Sequence, residues 1–116
     1  MAKPRNAKVD HIALNVRDIN WYVQFLFDAF GMKVNSYDGP NSQPSQVWVD
    51  GGIQLIHDPT LEPATSHLAH IAIRTYDLEN VIDLVIGLGG VRMTKGRNWL
   101  QLPDGLCLEL LQGENN

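Results

Sequence analysis

From Asp10 to Val16 the chain alternates, with His11, Ala13 and Asn15 on one side and Ile12, Leu14 and Val16 on the other. A period of two with one apolar side predicts a strand that buries one face. At Asp18 the period changes: Ile19, Tyr22, Val23, Leu26, Ala29 and Phe30 recur at intervals of three and four, the apolar stripe of a helix. Asp18 is suited to cap that helix and Gly31 to end it. Met32 to Tyr37 reads as a second strand, and the polar stretch DGPNSQPSQ at 38–46 as a loop. Val47 to Val49 and Ile53 to His57 are two further strands, joined by the hairpin signal Asp50-Gly51-Gly52. The order is β-α-β-β-β.

After a linker at 58–66 with two prolines, the order recurs. Ala69 to Thr75 is a strand carrying His70, Ala72 and Arg74 on one face. Asp77 then opens a helix with the stripe Leu78, Val81, Ile82, Val85 and Leu88, stopped by Gly89-Gly90. Val91 to Thr94, Arg97 to Leu102 and Leu106 to Leu111 complete the set, the last two joined at Pro103-Asp104-Gly105. Residues 9–34 lie over 68–93 without a gap, placing His11 on His70, Ala13 on Ala72, Asp18 on Asp77 and Gly31 on Gly90. GIQLI at 52–56 lies over CLELL at 107–111, placing Gln54 on Glu109. The expected fold class is therefore α+β, with two tandem βαβββ modules forming a cupped mixed sheet. We expect a single domain over 9–113, with module one at 9–57, the linker at 58–66 and module two at 67–113. Residues 1–8 and 114–116 are expected to be loose termini.

Alternation puts His11, Gln54, His70 and Glu109 on the strand face opposite the one that packs on a helix. Two imidazoles, a carboxylate and an amide oxygen suit a divalent cation with positions left open for substrate. Taken singly, a strand histidine is more often an ordinary buried or edge residue. Glu109, between Leu108 and Leu110, is costly to bury unless a cation or an arginine relieves it. The occurrence of all four at duplicated positions is what favours the metal. Asn15, Arg74, Trp99 and Gln101 fall on the same face as candidates to line a substrate cavity, with Arg74 placed to meet an anion. Cys107, on that face too, reads as a small core residue, and His57 and His67, which are not duplicated, as surface residues.

A net charge of −4 with no basic run argues against nucleic acid as a partner. No apolar run approaches the ~20 residues that span a bilayer. The basic MAKPRNAK start lacks the apolar core of a secretory signal. One cysteine permits no internal disulfide, so a cytoplasmic setting is the simplest expectation. Trp21 and Phe25 lie off the main helix stripe, which favours burial against a second copy as a homodimer. A monomer mass in light scattering at micromolar concentration would count against it.

DHIALNVRD with a helix ending in FG, then IQL, HLAHIAI and LPDGLCLELL, resembles the vicinal oxygen chelate superfamily, also called the glyoxalase/bleomycin-resistance/dioxygenase superfamily, over about residues 9–112. The resemblance implies paired βαβββ modules around a divalent metal (Ni, Co, Mn, Fe or Zn) held by His11, Gln54, His70 and Glu109. It implies a small-molecule substrate chelated through vicinal oxygens and a proton moved alpha to a carbonyl through an enediolate, with Glu109 as the transferring group. The ligand order and the string GGIQLIHDPT are similar to methylmalonyl-CoA epimerases and some glyoxalase I forms. Epimerases carry a further acid before the third strand; here that segment offers only Asp38. A glyoxalase I-type lyase or isomerase is therefore favoured. The alternatives are an extradiol dioxygenase-like or fosfomycin-resistance-like metalloenzyme, and a bleomycin-resistance-like drug-binding protein without metal.

Overall fold

The computed structural model describes residues 7–62 and 66–113. Its eight strands and two helices follow the expected order, giving an α+β chain of two βαβββ modules. Two compact units are present, one of His11–Ala69 and one combining the stretch up to Asp10 with that from His70 onward. Of the expected loose termini, residues 1–6 and 114–116 lie outside the described residues, as do 63–65 of the linker; Lys8 already belongs to the first strand.

The first module comprises β1 (Lys8–Val16), α1 (Ile19–Phe30), β2 (Val34–Asp38), β3 (Gln46–Val49) and β4 (Ile53–His57). Its strands lie in the order β2-β3-β4-β1. β1 runs parallel to β4 and the remaining pairs are antiparallel, so the sheet is mixed. The Asp18 carboxylate accepts the Trp21 N–H at 3.1 Å, satisfying one of the donors that a helix start leaves open. Gly31, at φ +71°, closes the other end: its N–H returns to the Phe27 carbonyl and that of Met32 to Leu26. Met32 is therefore taken up by the helix end and packs into the core, and β2 starts at Val34 rather than Met32. The core consists of Val16, Ile19, Val47, Val49 and Leu55, with Leu14, Tyr22, Val23 and Leu26 against them. Ala29 and Phe30, expected on this stripe, are exposed. The β3–β4 hairpin turns through Gly51 and Gly52, both at positive φ, the conformation that tight hairpins require.

The second module comprises β5 (Leu68–Thr75), α2 (Leu78–Gly87), β6 (Val91–Met93), β7 (Gly96–Gln101) and β8 (Cys107–Gln112), in the order β5-β8-β7-β6. β5 is parallel to β8, and β8 is antiparallel to β7. Ile82, Leu100 and Leu110 form the buried centre, with Ile73, Leu78, Val81, Val85 and Ile86 around it. Ile82 and Leu110 are the repeat positions of Val23 and Leu55 in the first core. Two details differ from the expected second helix. Asp77 makes no side-chain cap; Asn80 holds its carboxylate, and the Leu78 N–H finds the Gln112 side-chain oxygen at 3.2 Å instead. Leu88 lies past the helix end and is 85% exposed, so it is not part of the stripe.

Candidate metal centre

Both modules position their histidine by the same register. β1 and β4 pair with Ala13 opposite Gln54, and His11 precedes Ala13 by two residues, on the same face. β5 and β8 pair with Ala72 opposite Glu109, and His70 precedes Ala72 by two. Ala13 and Ala72 are both 0% exposed.

In the second module His70 Nε2 stands 3.4 Å from Glu109 Oε1. The imidazole is 6% exposed and meets the Trp99 ring edge to face, with centroids 4.7 Å apart. Trp99 is also the cross-strand partner of Glu109, so one indole borders both polar groups. Lys95 Nζ lies 3.9 Å from the centre of the same indole, where a cation is attracted by the ring face. Glu109 itself follows the expected alternation: Leu108 and Leu110 turn into the core while its carboxylate takes the other face.

In the first module Gln54 is 6% exposed, and Trp48 stands opposite it in β3. Trp48 and Trp99 are thus equivalents, each across from the oxygen donor of its module. The Gln54 side-chain nitrogen donates to Gln46 Oε1, two residues before Trp48. Sequence reasoning passed over both Trp48 and Gln46. Counting outward from the Asp50-Gly51-Gly52 turn would have found Trp48, because hairpin register follows from the turn. Gln46 then follows as its neighbour on the same face.

The other candidates are distributed differently. Trp99 is beside His70 and Glu109, as described. Asn15 shares the face of His11, and its main chain is bonded to His67 both ways, through the His67 carbonyl at 2.7 Å and the ring Nδ1 at 2.8 Å. His67 is accordingly half-buried and tied to β1 rather than a surface residue. His57 is half-buried at the end of β4. Arg74 is engaged by the fold: Nε donates to Asp10 at 2.8 Å and Nη1 to the Gln112 carbonyl at 2.8 Å. That leaves Lys95 as the cation next to Trp99. Gln101 is exposed and turned to the Gly105 carbonyl of the β7–β8 turn, opposite the half-buried Cys107.

No protein-family model matches the sequence, and no curated protein matches it. Among solved structures, protein BH1468 from Bacillus halodurans C-125 is similar with a TM-score of 0.67 and 19% identity, over 97% of this chain and 98% of that one. Methylmalonyl-CoA epimerase from Mycobacterium tuberculosis is similar with a TM-score of 0.64 and 17% identity, over 99% and 94%. The 2,3-dioxygenase LapB from Pseudomonas sp. KL28 matches 93% of this chain with 43% of its own length, at a TM-score of 0.63 and 16% identity. Likeness at these identities concerns the backbone. The chain has the fold that its resemblance to the vicinal oxygen chelate superfamily implied.

Proposed function

We propose that the protein is a vicinal oxygen chelate enzyme, a lyase or isomerase in which His11, Gln54, His70 and Glu109 hold one divalent cation. The supporting observation is the shared register: each module sets a histidine two residues before a fully buried alanine whose parallel-strand partner is an oxygen donor. The donors fit such an ion chemically, since imidazole nitrogen, carboxylate and amide oxygen all serve first-row divalent metals. Gln54 has its nitrogen occupied by Gln46, which turns the ligating oxygen end the other way. When bound, the ion supplies Lewis acidity toward two adjacent substrate oxygens.

The residues of the chain account for the rest. Glu109 is the proton carrier, because Gln54 is an amide and cannot accept a proton at neutral pH. The position opposite Gln54 is Trp48 and its neighbour on that face is Gln46; Asp38, the acid that precedes β3, is the cross-strand partner of Gln46 at the exposed end of β2. Proton removal and return by Glu109 alone would act on one face of the substrate; inversion would need a second base, for which Asp38 is the acid on the Gln46 side. Trp48 and Trp99 restrict water beside the two oxygen donors, and Lys95 over Trp99 is placed for an anionic substrate group.

The test is metal content of protein purified without chelator, followed by deuterium incorporation alpha to the carbonyl of hemithioacetals, 2-oxo acids and methylmalonyl-CoA in D2O. Near-stoichiometric metal with exchange that falls about 100-fold or more in Glu109→Gln is expected. Absence of metal, with no exchange after any divalent ion is added, would refute the enzyme reading and favour a metal-free small-molecule-binding protein. Two histidines and one carboxylate also form the triad of Fe(II) oxygenases. Oxygen uptake with catechols after Fe(II) loading, without proton exchange, would select that second reading.

A further inference from the structure

We infer that Gln46 is a positioning residue for the proposed centre, one that fixes which end of the Gln54 amide faces the ion. The inference rests on Gln54 being a ligand and concerns what makes it one. A primary amide has an oxygen that can bind a cation and a nitrogen with two hydrogens that cannot. Its terminal torsion is broad and roughly two-fold, so an unrestrained amide interchanges the two ends easily. Gln54 is not unrestrained: its nitrogen donates to Gln46 Oε1. Flipping Gln54 alone would bring two carbonyl oxygens together at a residue only 6% exposed, where water is poorly placed to relieve the clash, so the reversed amide requires Gln46 to turn as well.

The register explains how Gln46 reaches. Trp48 is directly opposite Gln54, and Gln46 precedes Trp48 by two, which makes it the diagonal neighbour on the same face. The equivalent position of the second module is engaged elsewhere. Arg97, two residues before Trp99, pairs with Glu79 of α2 instead. Glu109 does not need such a restraint, because the two oxygens of an ionised carboxylate are equivalent and no flip can present the wrong atom.

The experiment compares wild type, Gln46→Leu and Gln46→Glu, with Co2+ as the probe. Leucine removes the acceptor. Glutamate keeps one and can still accept from the Gln54 nitrogen. Melting of the metal-free proteins checks that both variants fold. Calorimetric titration with Co2+ gives the Kd, and the visible bands of bound Co2+ report its coordination. About a ten-fold weaker Kd with altered bands is expected for Gln46→Leu, in the range found when partners of metal ligands are removed. Gln46→Glu is expected to restore both toward wild type. Wild-type affinity and bands in Gln46→Leu would overturn the inference while leaving the centre intact, as would equal weakening in both variants, which marks a packing role only. A wild type that binds no Co2+ would overturn the proposed centre and this inference with it.

Discussion

If the four donors hold one ion, that ion stabilises the folded protein by an amount set by its affinity. At a free concentration of 100 times Kd the gain is about 2.7 kcal/mol. Unfolding entropy near the midpoint is about 2.1 cal/mol/K per residue, or roughly 0.24 kcal/mol/K for 116 residues. The ion is therefore expected to raise Tm by about 11 °C. His70→Ala tests this because two effects separate cleanly. Without metal the mutant loses a ring that is 6% exposed and packed edge-on against Trp99. That contact and the space left behind are together worth about 1–3 kcal/mol, or a Tm lower by roughly 4–12 °C. With metal, it also loses the ion-dependent rise. His57→Ala, at the end of β4 and away from the duplicated positions, is the control and is expected to keep the full rise. Differential scanning calorimetry with Mn2+, Co2+, Ni2+ and Zn2+ in turn, against the chelated protein, measures all three. A wild-type Tm indifferent to every ion, or a His70→Ala variant that retains the rise, would refute the reasoning.

Two further predictions concern the frame around the site. Gly31 and Gly90 are equivalent in the repeat, yet alanine is expected to act differently at each. At Gly31 nothing lies near an added Cβ and the cost is that of φ +71°, about 1 kcal/mol. At Gly90 the Cβ would meet Val85 Cγ1 at 2.6 Å and the Val85 carbonyl oxygen at 3.0 Å, so a loss of about 2–3 kcal/mol in urea unfolding is expected; equal losses would count against this account. The Arg97 guanidinium bonded to Glu79 holds that carboxyl below its ordinary range. Its contribution is present above the unfolded-state pKa and is lost as pH falls through the lowered folded value. The small Tm advantage of wild type over Glu79→Gln should therefore be seen at pH 6, fade in strong acid and shrink in high salt, both groups being at the surface.

Much of the fold was legible because period two and period 3.6 are local properties. β1, α1, β4 and β5 appear where alternation and stripe put them, and the Gly51-Gly52 and Gly105 turns fall where glycine was needed. The misreadings came from tertiary context. Met32 looked like the start of a strand but closes the helix end. Phe30 and Leu88 continued the stripes in sequence, but both are exposed, Leu88 because the helix has already ended. Arg74 had the right face for a substrate anion, and only the structure reveals its partners Asp10 and Gln112. In the candidate site the four proposed ligands could be read from the repeat, because duplication correlates distant positions. Trp48 and Gln46 lie across a hairpin, where the relevant signal is register, and the unequal residues Gln46 and Arg97 hide the equivalence of their positions.

The oxygen donors of the two modules, otherwise so alike in register, differ in charge: Gln54 is neutral and Glu109 is anionic. With both imidazoles neutral, the four groups together carry one negative charge. A divalent cation held by all four would leave the cluster at plus one, where a second glutamate would have brought it to zero. The residual field favours a bound molecule that becomes more negative as it reacts, and it opposes one that becomes more positive. In the proposed centre, the divergence of the duplicated halves at this pair of positions would set the charge that a bound molecule meets.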